Sequence, residues 1–135
     1  MGSWAAGTPR PERARVPTVH VVDDDAPLRR ALQRLLGSVG FAVETFGTAE
    51  DFLAAKHVLP ADCLVLDIHL GTLSGFDVHD RLRAAGLSIP TVFITGHDDA
   101  VTRERARRVG AAGYVRKPFE EAALVAAIEG ALARG

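Results

Sequence analysis

The chain has little cysteine, few aromatic residues and no long apolar run. Its single cysteine, Cys63, excludes an internal disulfide, and the surrounding apolar residues predict a buried, unreactive thiol. No stretch approaches the roughly 20 apolar residues of a membrane helix, so no membrane contact is expected. The segment 1–17 lacks the apolar core of a secretory signal, which makes a cytoplasmic location the expectation.

A large excess of charge of either sign is also absent. The formal net charge is −1, so the chain has no overall field that would attract nucleic acid. Arginines cluster at 103–108 without a nucleic-acid recognition motif, so an exposed basic helix face without direct nucleic-acid contact is expected. Among the basic residues only Lys56 and Lys117 are lysines. Lys117 is notable because a compact ammonium suits a single phosphoryl oxygen.

The 135 residues suffice for one domain with its own core. The segment 1–17, which contains several prolines and arginines, is predicted to be a disordered leader, and 18–134 the domain. Strands are predicted near 18–22, 41–45, 62–66, 90–94 and 112–115. Helices are predicted near 26–38, 48–56, 75–85, 99–109 and 119–133, with Gly40, Gly86 and Gly110 as helix stops. This alternation predicts an α/β fold, a doubly wound parallel sheet of five strands with helices on both faces.

Polar side chains capable of binding metal or phosphate follow four of the predicted strands. They are Asp23, Asp24 and Asp25 after the first, Asp67 after the third, Thr95 after the fourth and Lys117 after the fifth. Ligand sites of parallel sheets lie beyond the carboxyl ends of the strands, so these residues are expected to converge. Crowded carboxylates repel one another, and Mg²⁺ relieves the repulsion because it prefers oxygen ligands.

Four stretches, VHVVDDDAPLRRAL, CLVLDIHLGTLSG, TVFITGH and GYVRKPF, are distributed along the domain between Val19 and Phe119. Their order and spacing resemble the receiver domain of two-component response regulators, most closely the nitrogen-fixation regulator type. The resemblance implies a flavodoxin-like (βα)5 fold with strand order 2-1-3-4-5. It also implies a cis peptide bond between Lys117 and Pro118.

The resemblance assigns a phosphoacceptor and a metal site. Asp67 resembles the phosphoacceptor, and Asp23 and Asp24 resemble the acid pair that binds Mg²⁺, with Asp24 the more direct ligand. The backbone carbonyl of His69 is the expected third protein ligand. The chemistry agrees, because a carboxylate that attacks phosphorus needs positive charge nearby to bring two anions together.

Two further residues complete the implied phosphoryl site, and a third would change position when the site is phosphorylated. Thr95 would hydrogen-bond one phosphoryl oxygen, and Lys117 would pair with another. Tyr114, on the fifth strand, corresponds to the switch aromatic, whose ring moves inward when the threonine moves. The alternative for Tyr114 is an ordinary half-buried strand tyrosine.

Several residues depart from the family pattern or need a separate interpretation. Gly71 replaces the proline that often follows the phosphoacceptor by four residues, which predicts a looser loop. Asp25 is expected to N-cap the first helix rather than to bind metal. The five histidines lack paired ligand spacing, so a histidine metal site is rejected. His69 and His97 should instead line the rim of the phosphoryl pocket, with two solvated loop histidines as the alternative.

The function expected is that of a phosphoacceptor that takes a phosphoryl group from a sensor histidine kinase or a phosphotransfer protein. Apart from Mg²⁺-dependent phosphorylation and dephosphorylation of itself, no enzyme activity is expected. A phosphatase of the haloacid dehalogenase type is disfavoured, since it needs an aspartate where His69 stands. A pseudo-receiver that binds partners without phosphorylation is disfavoured by the intact Asp24, Asp67, Thr95 and Lys117.

The expected output is a surface that phosphorylation remodels. It comprises the fourth helix, the fifth strand and the fifth helix, and a weak phosphorylation-dependent homodimer is expected to form through it. A heterologous partner is the alternative occupant of this surface. The chain is either a stand-alone receiver or a part of a longer regulator of transcription.

Overall fold

Five parallel strands form the central sheet of the computed structural model, which describes residues 16–55 and 60–134. They are β1 (Thr18–Val22), β2 (Ala42–Phe46), β3 (Cys63–Asp67), β4 (Thr91–Thr95) and β5 (Gly113–Arg116). The order across the sheet is β2-β1-β3-β4-β5, which confirms the predicted topology. The strands after β1 begin and end one residue later than predicted, because pairing with a neighbouring strand decides where a ladder starts and ends.

Five helices cover the two faces of this sheet. They are α1 (Ala26–Val39), α2 (Ala49–Ala55), α3 (Gly75–Ala84), α4 (Ala100–Arg108) and α5 (Glu121–Arg134). Successive side chains of a strand point to opposite faces, and β3 shows the result. Leu64 and Leu66 join the core beneath α2, α3 and α4, while Cys63 and Val65 join the core beneath α1 and α5. Cys63 is fully buried, and burial raises the pKa of its thiol to about 12, which makes it unreactive as predicted.

The predicted helix ends are confirmed where they bear on the site. The Asp25 carboxylate accepts a hydrogen bond from Leu28 N at 3.1 Å, so Asp25 is the N-cap of α1. Gly40 ends the same helix with φ of 115°, a conformation that favours glycine. The orientation of α1 is therefore set at both ends by residues that sequence alone had indicated.

The segment after β3 forms a hairpin that the sequence did not predict. His69–Leu70 and Leu73–Ser74 pair as two antiparallel strands of two residues each. Gly71 lies in the turn between them with φ of 86°, a backbone conformation that proline cannot adopt. Glycine at this position is thus required by the turn, and the looser loop remains a prediction.

Two histidines lie in the core beneath α2 and α3. His20 packs against Phe46 and Phe52, with ring centroids 5.4 and 6.0 Å away, and His79 lies 5.8 Å from Phe93. Burial lowers the pKa of both histidines, which favours neutral rings at physiological pH.

Parts of the sequence lie outside the described residues, among them His57 and almost all of the predicted leader. Within 16–55 and 60–134, no helix combines the length and the apolar character required to cross a membrane.

Candidate functional site

The polar residues at the ends of three strands converge, as predicted. Asp23 directly follows β1, Asp67 ends β3, and Lys117 directly follows β5. The Lys117 Nζ atom lies 2.8 Å from Asp23 Oδ2 and 3.1 Å from Asp67 Oδ2. The peptide bond between Lys117 and Pro118 is cis, as expected. Three residues from distant parts of the chain therefore form one charged cluster at the carboxyl edge of the sheet.

Burial and charge attraction shift the pKa values of this cluster in opposite directions. Asp23 is fully buried, and burial raises its pKa although the hydrogen bond from Lys117 opposes this shift. Burial alone would lower the pKa of Lys117, but hydrogen bonds and attraction from Asp23 and Asp67 raise it overall. Lys117 thus remains charged at neutral pH and neutralises part of the negative charge around it.

The residues present fit a magnesium ion. Asp23, Asp24 and Asp67 each offer a carboxylate oxygen, and the three oxygens lie within 4.8 Å of one another. The donor set is entirely oxygen, which suits Mg²⁺. Asp24 is exposed while Asp23 and Asp67 are buried, so a bound ion would have solvent on the side of Asp24.

Asp23 is held in place by its neighbours. Its Oδ1 accepts a hydrogen bond from Asp25 N at 2.9 Å, and its backbone carbonyl accepts one from Arg29 Nη1 at 2.8 Å. The Arg29 guanidinium also packs closely on Gly47, where an added Cβ would stand only 2.9 Å from Nη1. Arg29 was not singled out by sequence reasoning. Its position on α1 carries no local signal for a contact with the ends of β1 and β2.

The side chains of Asp67 and Thr95 each accept a hydrogen bond from the backbone amide two residues later. His69 N donates to Asp67 Oδ1 at 3.0 Å, and His97 N donates to Thr95 Oγ1 at 3.0 Å. The two imidazole rings that follow are exposed and meet edge to face, with centroids 4.7 Å apart. The structure thus brings the rings of His69 and His97 together, and their place at the rim of a phosphoryl pocket remains a prediction.

Tyr114 is half-buried on β5, and its hydroxyl donates to Asp98 Oδ1 at 2.9 Å. Burial and this hydrogen bond raise the pKa of Tyr114 to about 12. Thr95 Oγ1 contacts His97 N rather than a group on β5, so the two predicted switch residues have separate hydrogen-bond partners in this structure.

Gly75 is a site residue that sequence reasoning missed. A Cβ there would lie 2.5 Å from the backbone oxygen of Asp67 and 3.0 Å from Ile68 Cα. Gly75 N also donates to the Ile68 carbonyl at 2.8 Å. The start of α3 therefore packs directly on the backbone that carries Asp67, and only glycine permits this approach. The preceding helix cap, Ser74, was the available local signal.

Residues 19–129 match the family described as the response regulator receiver domain. The chain belongs to this family. The response regulator protein TodT of Pseudomonas putida is 37% identical over 118 residues, covering 87% of this chain and 52% of TodT. The transcriptional regulatory protein FixJ of Azorhizobium caulinodans is 38% identical over 116 residues, covering 86% of this chain and 55% of FixJ. The chain thus spans about half the length of these relatives.

The receiver fold is confirmed by a solved structure. The crystal structure titled FIXJ-N is similar with a TM-score of 0.82 and 36% identity, covering 90% of this chain and 97% of that one. Relatives named FixJ agree with the predicted resemblance to the nitrogen-fixation type. As a receiver domain, the chain is part of phosphorylation-dependent two-component signalling.

Proposed function

We propose that this receiver domain accepts a phosphoryl group on Asp67 from a sensor histidine kinase or a phosphotransfer protein. The observation that supports this most directly is the contact of Lys117 Nζ with both Asp23 and Asp67, at 2.8 and 3.1 Å. It places an ammonium beside the proposed nucleophile, where the charge of an incoming phosphoryl group must be neutralised. We therefore assign the receiver function to the carboxylates of Asp23 and Asp67 and to the ammonium of Lys117.

In the proposed reaction a carboxylate oxygen of Asp67 attacks the phosphorus of a phosphohistidine. A phosphorus–oxygen bond forms, the phosphorus–nitrogen bond breaks, and the leaving imidazole keeps the electron pair and takes up a proton. Lys117 pairs with one phosphoryl oxygen. Mg²⁺ held by Asp23, Asp24 and Asp67, with the backbone carbonyl of His69, would supply the further positive charge that lets the two anions approach.

Phosphorylation then changes the contacts of Thr95. The new group carries roughly two negative charges and strong acceptor oxygens, which attract the Thr95 hydroxyl. Thr95 Oγ1 would leave His97 N, and the β4–α4 loop would move with it. Tyr114 follows as the second switch residue. Phosphorylation and dephosphorylation of Asp67 are the only reactions we assign to the chain.

The test of this function is phosphoryl uptake from a small-molecule donor such as acetyl phosphate. With Mg²⁺ present, the mass of the intact chain should rise by one phosphoryl group, and EDTA should prevent the rise. Uptake that is indifferent to EDTA, or addition of several groups, would refute the proposed site.

We expect His69 and His97 to set the lifetime of the phosphorylated form. Hydrolysis needs a water in line with the phosphorus–oxygen bond, and the two adjoining rings would stand at the rim where such a water enters. Replacing either histidine by alanine should change the dephosphorylation rate severalfold with little change in thermal stability. Rates are measured by loss of the added mass after donor removal. Two variants with wild-type rates would rule out this role.

We also propose that phosphorylation promotes a weak homodimer through α4, β5 and α5. Exposed arginines of α4, including Arg108, share this surface with Glu121 at the start of α5. Across a two-fold axis, the α4 arginines of one copy would lie against Glu121 of the other copy. The surface would therefore be self-complementary, as a two-fold contact requires. The cytoplasmic location remains a prediction. Output through a longer regulator of transcription also remains a prediction.

Light scattering of the phosphorylated and unmodified chain checks the dimer. The phosphorylated form should show a concentration-dependent rise in mass, and Glu121→Arg should weaken it by placing like charges together. A phosphorylated chain that stays monomeric at high concentration would leave this surface to a heterologous partner.

A further inference from the structure

Asp98 lies at the junction between β4 and α4, three residues after Thr95. Its Oδ1 accepts hydrogen bonds from Tyr114 Oη and from Arg103 Nε, each at 2.9 Å. Its Oδ2 lies 3.6 Å from Arg116 Nη1. The Asp98 side chain is only 15% exposed, while those of Arg103 and Arg116 are 58% and 70% exposed. One mostly buried carboxylate therefore joins the β4–α4 loop, the helix α4 and the strand β5.

The contact with Tyr114 is the one that bears on switching. The Tyr114 ring packs against the buried cluster beneath α2, α3 and α4, and Asp98 holds its hydroxyl. A hydrogen bond to an ionised carboxylate is stronger than one between neutral groups, more so where water is partly excluded. Tyr114 cannot move inward without giving up this bond.

Asp98 is also linked to Thr95, through the backbone of the preceding residue His97. His97 N donates to Thr95 Oγ1 at 3.0 Å, and Asp98 is the next residue in the chain. A Thr95 hydroxyl drawn toward a phosphoryl group on Asp67 releases His97 and permits the loop to shift. Such a shift would also move the carboxylate of Asp98 relative to its partners on α4 and β5.

We propose that Asp98 is a positioning residue that holds Tyr114 and α4 in the unphosphorylated arrangement. The strength of its three contacts sets how much free energy phosphorylation must supply to switch the domain. This inference rests on the proposed function of Asp67 as the phosphoacceptor. Beyond that function, it identifies Asp98 as a residue that opposes the change to the phosphorylated arrangement.

The first measurement follows Tyr114 directly. The chain contains one tyrosine, so labelling tyrosine with ¹³C at Cζ gives a single NMR signal. Asp98→Asn keeps the size of the side chain and removes its charge, and it should shift this signal in the unphosphorylated protein. Glu104→Gln is the matched control, because Glu104 pairs with Arg107 on the exposed side of α4 and should leave the signal unchanged.

The second measurement is the rate of phosphoryl uptake from acetyl phosphate with Mg²⁺. A small donor reacts faster when the switched arrangement is more populated, so Asp98→Asn should raise the rate constant about tenfold, equivalent to ~1.4 kcal/mol. A residue with a merely structural role would leave the rate unchanged or lower it. Tyr114→Phe removes the same hydrogen bond, so the effects of the two substitutions should not add in the double variant.

The outcomes separate this inference from the proposed function. A wild-type signal and a wild-type rate in Asp98→Asn would overturn the role of Asp98 while phosphoryl uptake itself stands. If the wild-type chain takes up no phosphoryl group, the proposed function fails, and with it the role of Asp98 in switching. Asp98→Glu, which restores the charge, should return both readouts toward wild type if the role is correct.

Discussion

Asp67→Asn should abolish phosphoryl uptake from acetyl phosphate in the presence of Mg²⁺. The substitution keeps the shape of the side chain but replaces the carboxylate that we propose as the nucleophile with an amide. Asp67 lies 3.1 Å from Lys117 Nζ and shares a carboxylate cluster with Asp23 and Asp24. Intact-mass spectrometry should show no added phosphoryl group in the variant.

Two controls give this result its meaning. Asp80→Asn changes an exposed acid on α3, away from the cluster, and should take up one group at the wild-type rate. Thermal unfolding of Asp67→Asn should show no loss of stability, because the amide no longer repels Asp23. A phosphoryl group that still appears in Asp67→Asn would mean that another side chain is the acceptor.

Lys117→Met should destabilise the fold by about 3 kcal/mol when Mg²⁺ is removed with EDTA. Methionine keeps the apolar stem of the side chain but leaves the buried carboxylates of Asp23 and Asp67 without their ammonium partner. In the wild type this stabilisation is present at neutral pH. Because the pKa of Lys117 is raised, the stabilisation is lost only as the pH rises above the ordinary lysine value of 10.5.

Adding Mg²⁺ should recover much of the stability lost in Lys117→Met. An ion that binds only the native state stabilises it by mass action, by about 2.7 kcal/mol at a hundredfold excess over Kd. The gain should be larger in Lys117→Met than in the wild type, because no ammonium competes for the carboxylates. Asp24→Ala should lose the response to Mg²⁺.

The matched control for Lys117→Met is Arg108→Met, which removes a cation that is 71% exposed and lies 4.0 Å from its only described partner, Glu104. Its free energy of unfolding should remain within about 0.5 kcal/mol of wild type. Equal stabilities for Lys117→Met and wild type in EDTA would show that Lys117 does not neutralise the cluster. A Mg²⁺ response that persists in Asp24→Ala would show that the ion binds elsewhere.

The sequence by itself determined the fold and predicted the convergence of Asp23, Asp67 and Lys117, which are in contact in the structure. Five βα units specify a parallel sheet, and topology places the residues after its strands along one edge. Asp67, Thr95 and Lys117 could therefore be grouped although they are far apart in the chain. The cap at Asp25 was predictable for a different reason, since a helix N-terminus needs an acceptor for its free backbone donors.

Only the tertiary structure decided which of these groups touch and what holds them. The starts of the strands depend on pairing with a neighbour, and the hairpin at Gly71 depends on a turn that local composition did not specify. Gly75 and Arg29 support the site through contacts with backbone atoms of Asp67 and Asp23. Such contacts leave no periodic signal, because they depend on where α3 and α1 pack against the ends of the strands.

Asp98 shows the same limit most clearly. In the sequence it is one of two adjacent acids, Asp98 and Asp99, near the predicted start of the fourth helix. In the structure Asp99 caps α4 through Thr102 N at 2.7 Å, whereas Asp98 reaches Tyr114, sixteen residues along the chain, on β5. Pairing of β4 with β5 brings these two residues together, and sequence alone does not report the direction in which each carboxylate points. Residue types and topology specify the chemistry of the site, while long-range packing specifies the contacts that restrain it.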